Sequence, residues 1–139
     1  MRNITTIIIH CAATKPTMDI GAKEIEQWHR ARGFFGIGYH YVIRRDGTIE
    51  MGRPLEKAGA HAEGHNADSI GICMAGGIDN KGKPQNNFTD AQWDSLAKLT
   101  KDLVQSYGAL KIIGHNEVAA KACPSFSVQK WLANGMRKI

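Results

Sequence analysis

His115, Lys121 and Cys123 bring an imidazole, an amine and a thiol within nine residues of one another toward the C-terminal end of the chain, and His10 supplies a second imidazole near the other end. Two imidazoles and one thiolate make three protein ligands. Zinc commonly takes that number in catalytic sites, leaving the fourth position to water. The chemistry implied is hydrolysis by a metal-activated water, while Lys121 taken alone would ordinarily be a solvated loop lysine. A histidine on a strand is by itself more often structural than ligating, so the inference rests on the combination.

These residues need elements that bring them together. The apolar runs Ile7-Ile8-Ile9 and Leu110 to Ile113 lead into His10 and His115, and read as buried strands that end on the histidines, with Cys123 in the loop beyond the second. In a strand over 4–11, Ile8 and His10 share one face while Ile7, Ile9 and Cys11 share the other, so Cys11 reads as a small buried hydrophobe. Ala22 to Arg32 reads as an amphipathic helix with Ile25, Trp28 and His29 inward, stopped by Gly33. Tyr39 to Arg44 is a predicted strand that turns at Asp46-Gly47, through a type I′ turn, into Thr48 to Glu50. Tyr39 and Tyr41 share one of its faces, where packing alone would account for either, and His40 lies on the other as a core or hairpin residue.

Residues 52–68 form a polar loop holding His61 and His65, Ser69 to Ala75 a strand with Cys73 buried in it, and Gly76 to Asn87 an exposed loop. Thr89 and Gln92 form a capping box at the head of a helix that ends at Gly108, and Val128 to Arg137 is a last helix with Trp131 and Leu132 inward. Together these predict a single α/β domain over residues 1–139, with a mixed central sheet of about five strands flanked by about three helices.

A chain of 139 residues is long enough to bury a core without staples. Its three cysteines are an odd number without framework spacing, so reduced thiols are a more natural reading than disulfide pairing. Met1-Arg2-Asn3 leads straight into the isoleucine run, too short for a signal peptide, and no apolar stretch approaches the ~20 residues of a membrane span. The formal charge of +5 favours an anionic partner. Paired Cys-x-x-Cys or His-x-x-x-His spacing and a basic recognition helix are both missing, so nucleic acid is not the predicted one.

The runs His10-Cys11-Ala12-Ala13-Thr14-Lys15-Pro16, Ile25-Glu26-Gln27-Trp28-His29, Gly38-Tyr39-His40-Tyr41-Val42-Ile43, Arg45-Asp46-Gly47-Thr48, Ser69-Ile70-Gly71-Ile72 and Lys121-Ala122-Cys123-Pro124-Ser125-Phe126 extend over nearly the whole chain. In this order they resemble the zinc-dependent N-acetylmuramoyl-L-alanine amidases, a family that includes small phage endolysins and shares its fold with peptidoglycan recognition proteins.

The resemblance implies one zinc ion held by His10, His115 and Cys123, with Tyr39 and Lys121 as catalytic residues. It implies cleavage of the amide between N-acetylmuramic acid and L-alanine in peptidoglycan. His61 and Asn66, in a loop like the family's groove segment, become candidate substrate contacts, with Arg44, Arg45, Lys15 and Lys57 as basic groove candidates. Asn66 has an alternative role in its own turn.

A monomeric endolysin made in the host cytoplasm would depend on a holin to reach the periplasm and wall. RNA polymerase is a further partner of phage relatives, through an extended N-terminus that the short lead into the first strand here does not match. The alternative is a non-catalytic peptidoglycan-binding module, which the presence of Cys123 disfavours. Asn116 and Ala120 depart from the phage pattern, where a histidine and a proline stand, and suggest a looser loop.

Overall fold

The computed structural model describes residues 2–139. Its elements are β1 (Thr6–Cys11), α1 (Ala22–Ala31), β2 (Tyr41–Ile43), β3 (Ile49–Met51), β4 (Ser69–Met74), α2 (Asp90–Tyr107), β5 (Lys111–Gly114), a 3-10 turn at His115–Glu117 and α3 (Val128–Ala133). The five strands form one sheet in the order β3-β2-β4-β1-β5. β1 lies parallel between β4 and β5, β2 runs parallel to β4, and β3 closes the edge as the antiparallel partner of β2. This is the predicted mixed α/β sheet with three flanking helices.

Parallel strands covered on both faces must be apolar nearly throughout, and β1 and β4 are. On one face Ile7, Ile9, Ile70, Ile72 and Met74 pack against Trp93, Leu96 and Leu103 of α2 and Trp131 of α3. On the other, Val42 and Cys73 pack with Ile20, Ile25 and Ile37, and Ile8 packs with Ala62 and Ile113. The capping box at α2 is as predicted, since Gln92 N–H donates to Thr89 Oγ1 at 3.1 Å and Thr89 N–H to Gln92 Oε1 at 3.0 Å.

Several details differ from the sequence reading. Trp28 is 40% exposed, because Ile25 and His29, four apart, carry the buried stripe of α1 and leave Trp28 at its margin. The β2–β3 turn is a three-residue loop closed by Arg44 N–H on Thr48 O, with Gly47 at φ +89° and Asp46 outside the left-handed region. That is a type I turn followed by a bulge, in place of a type I′ turn. α3 stops at Ala133, ahead of Gly135 and Met136 at positive φ. The loop after β4 is exposed over 80–86, but Gly76 and Gly77 are buried where Thr14 bridges to Gly77.

Candidate metal centre and groove

The register of two parallel strands builds the centre. Ile9 sits opposite Gly114, so the next residues, His10 and His115, lie side by side with ring centroids 4.5 Å apart. Carboxyl ends of parallel strands are where open α/β sheets gather their ligands. The loop after β5 then returns to the same strand end: Cys11 N–H donates to Cys123 Sγ at 3.2 Å, and Cys123 Sγ lies 3.8 Å from His10 Nδ1.

One donor atom from each of His10, His115 and Cys123 comes within 4.8 Å of the other two, a group that could hold a metal ion. Cys11 is buried in the core behind β1, as the alternation predicted.

The loop is anchored along its length. Gly114 N–H donates to Glu117 Oε2 at 2.6 Å, Asn116 Nδ2 to Phe126 O at 3.3 Å, and Ser125 Oγ to Gly77 O at 2.8 Å. Asn116, read as a loosening substitution, is thus one of the loop's ties.

A cavity of about 600 Å³ opens beside this group, reached by it through His115 and lined also by Tyr39, His61, Lys121, Arg32 and Asn66 among others. The Tyr39 ring packs 5.0 Å from His10 and 5.4 Å from His29, centroid to centroid. His29 is more than packing, since its Nδ1 accepts from Gly38 N–H at 2.9 Å and fixes the backbone just before Tyr39.

His61 lies behind His10, its Nδ1 2.8 Å from His10 Nε2 and its Nε2 3.1 Å from Ser69 Oγ. Asn66 is on the cavity wall, but its Oδ1 accepts from the N–H groups of His61 and Ala62 at 3.0 and 2.9 Å. That is the turn role foreseen as its alternative.

None of Lys15, Arg44, Arg45 and Lys57 lines this cavity. Arg44 pairs with Asp19 at 2.9 Å and Glu50 at 3.5 Å, and Arg45 donates to Asn87 O at 2.9 Å and Gln92 Oε1 at 3.1 Å. The basic groove residues are instead Arg32, at the C-terminal end of α1, and Lys121. Arg32 carried no motif; its place after an inward histidine on an amphipathic helix was the only signal.

The imidazoles are held neutral. Burial pushes His10 well below the usual 6.5, helped by His61 and His115, and pushes His61 down to about 3, helped by His40 and His115. Burial and then Lys121 lower His115. Neutral imidazole is the ligating form. Burial also raises the Tyr39 phenol well above 10, so it stays protonated. A hydrogen bond with Cys11, and burial, hold the Cys123 thiol above its usual range when no cation is present.

These lowered values set a pH dependence for protein stripped of metal. The unfolded imidazole binds protons below about 6.5 while folded His61 resists them down to about 3, so stability present above 6.5 is lost as pH falls between those values. His61 alone is expected to remove about 2 kcal/mol between pH 7 and pH 5, lowering the unfolding midpoint by roughly 5–8 °C. A melting curve in chelator that does not move over that interval would show that the imidazoles are not held neutral.

Comparison with known proteins adds independent findings. A family model described as N-acetylmuramoyl-L-alanine amidase matches residues 1–126. The endolysin of Escherichia phage T7 is 50% identical over 125 residues, which cover 90% of this chain and 83% of that protein. Among solved structures, N-acetylmuramoyl-L-alanine amidase LysC from Clostridium intestinale URNW superposes with a TM-score of 0.83 at 32% identity, covering 99% of this chain and 88% of that one. Bumblebee PGRP-SA superposes with a TM-score of 0.75 at 26% identity, covering 96% of this chain and 86% of that one.

Proposed function

Because the chain belongs to the N-acetylmuramoyl-L-alanine amidase family, we propose that residues 1–139 act as one amidase domain in which His10, His115 and Cys123 hold zinc and Tyr39 and Lys121 carry the chemistry beside it. The enzyme hydrolyses the amide between N-acetylmuramic acid and L-alanine in peptidoglycan, as an endolysin of phage lysis. One observation supports the metal proposal: three donors from opposite ends of the chain come within 4.8 Å of one another, and one of them, His115, lines the cavity that Tyr39 and Lys121 also line.

The donors suit the ion. Tetrahedral zinc with Zn–S of ~2.3 Å and Zn–N of ~2.0 Å sets sulfur and nitrogen about 3.5 Å apart, and Cys123 Sγ lies 3.8 Å from His10 Nδ1. Zinc held there would supply a Lewis acid and would bring the pKa of a bound water to roughly 7. A thiolate ligand donates charge and weakens that Lewis acid, so Lys121 is assigned the developing negative charge on the carbonyl oxygen. The neutral Tyr39 phenol is a donor over the whole working range, suited to orienting water or to giving a proton to the leaving amine.

Arg32, with its guanidinium 5.3 Å over the Phe34 ring, gives the groove a fixed cation for the free carboxylates of a stem peptide. Delivery to the wall through holin lesions, and action as a monomer, belong to the same proposal. No helix among the described residues is long and apolar enough to cross a membrane.

The test is digestion of purified peptidoglycan, with mass spectrometry to identify the bond cut. New L-alanine amino termini are expected from the zinc-loaded protein, to disappear in chelator and to return with zinc. Sacculi that retain the protein but stay intact would replace this reading with a binding module.

A further inference from the structure

We infer that His61, backed by Ser69, is a positioning residue that holds His10 in the tautomer whose Nδ1 lone pair faces Cys123. The inference rests on the zinc reading above and adds to it the residues that prepare the first ligand.

The protons can be followed from the outside in. Ser69 Oγ lies 2.7 Å from His65 O, which can only accept, so the single hydroxyl proton goes there. Ser69 Oγ is then an acceptor for its other neighbour, His61 Nε2, at 3.1 Å. With its proton on Nε2, and no carboxylate among its partners, the neutral His61 ring presents a lone pair at Nδ1. His10 Nε2, 2.8 Å away, must donate to it. The remaining nitrogen of His10, Nδ1, is the one 3.8 Å from Cys123 Sγ, and it is left with a lone pair. A ligating histidine whose other nitrogen donates to a fixed partner keeps one tautomer and one ring orientation.

The backbone has made room for this chain of bonds. A Cβ at Gly71 would fall 2.7 Å from both Cγ and Cδ2 of His61, and one at Gly59 would collide with Cδ2 of the same ring. Beneath the ring, Arg2 Nη1 donates to the carbonyls of Asn66, Ala67 and Ser69 at 3.2, 3.2 and 3.0 Å, while Asn66 Oδ1 takes the His61 and Ala62 amides. The loop that carries His61 and His65 and runs into Ser69 is therefore tied at several points. Both His61 ring nitrogens are occupied, so its place on the cavity wall reflects support of His10 in preference to contact with substrate.

The test measures zinc affinity by chelator competition in four proteins: the unchanged chain, His61→Asn, His61→Leu and Ser69→Ala. Asparagine places an acceptor oxygen where Nδ1 of His61 lies, and leucine has similar bulk without one. Expected are a 10–100-fold loss in His61→Leu, affinity within a few-fold of the unchanged chain in His61→Asn, and an intermediate loss in Ser69→Ala. Long-range ¹H–¹⁵N spectra of the zinc-stripped chain should show His10 protonated at Nε2. Equal affinity in His61→Leu, an equal loss in His61→Asn, or His10 protonated at Nδ1 would each overturn the inference. Should the unchanged chain bind no zinc, the metal reading fails instead and the spectrum alone decides this one. It needs no variant, so poor folding of His61→Leu would not block it.

Discussion

Cys123→Ala is expected to lose zinc and to release L-alanine amino termini from peptidoglycan at least ~10³-fold more slowly than the unchanged chain, while still folding. The fall follows from losing one of three donors, and with it the several kcal/mol of transition-state stabilisation that a bound Lewis acid supplies. Folding should survive because Cys123 is half-buried at the edge of the core and its contacts with the end of β1 are weak sulfur ones, from Cys11 N–H at 3.2 Å and with His10 Nδ1 and Cys11 O at 3.8 Å each. Metal analysis, a thermal melt and the digestion assay on the same preparation separate the two effects. Turnover near that of the unchanged chain in a zinc-free Cys123→Ala protein would sink the metal assignment.

Lys121→Met is expected to lower kcat by ~10²–10³-fold, with KM and zinc affinity changed little, the mark of an interaction made chiefly in the transition state. Methionine keeps the length and removes the charge. Lys121 is exposed on the cavity wall and makes no side-chain hydrogen bond or ion pair among the described residues, so its loss should not disturb the fold. A variant in which only KM rises would place Lys121 in substrate binding and leave the oxyanion without its assigned cation.

The fold was legible wherever burial imposed a period. The all-apolar stretches of β1 and β4, the capping box of α2 and the stops at Gly33 and Gly108 all express local rules that need no tertiary knowledge. Turn type was less legible, because Asp-Gly serves both the I′ turn and the bulged loop that forms here, and loop length decides between them. The gathering of His10, His115 and Cys123 was readable from residue types and from the two apolar runs that lead into the histidines.

What lay beyond reach was everything set by approach between distant segments. His61 looked like a groove residue because the glycines that admit its ring, Gly59 and Gly71, say nothing alone about what fills the space. Arg44 and Arg45 looked like free cations because their partners at Asp19, Glu50, Asn87 and Gln92 come from other parts of the chain.

The strand order bears on how the protein is made. β1 is synthesised first, yet both its neighbours, β4 and β5, begin at Ser69 and Lys111, and His10 meets Cys123 across 113 residues. At ~5–20 residues per second the ribosome takes roughly 6–23 s to supply that last partner. Until β4 is made, Ile7-Ile8-Ile9 has no neighbouring strand to pair with and is an exposed apolar segment. A chain released before Cys123 is made lacks one of the three donors, so under the proposed function it is expected to be lytically inert.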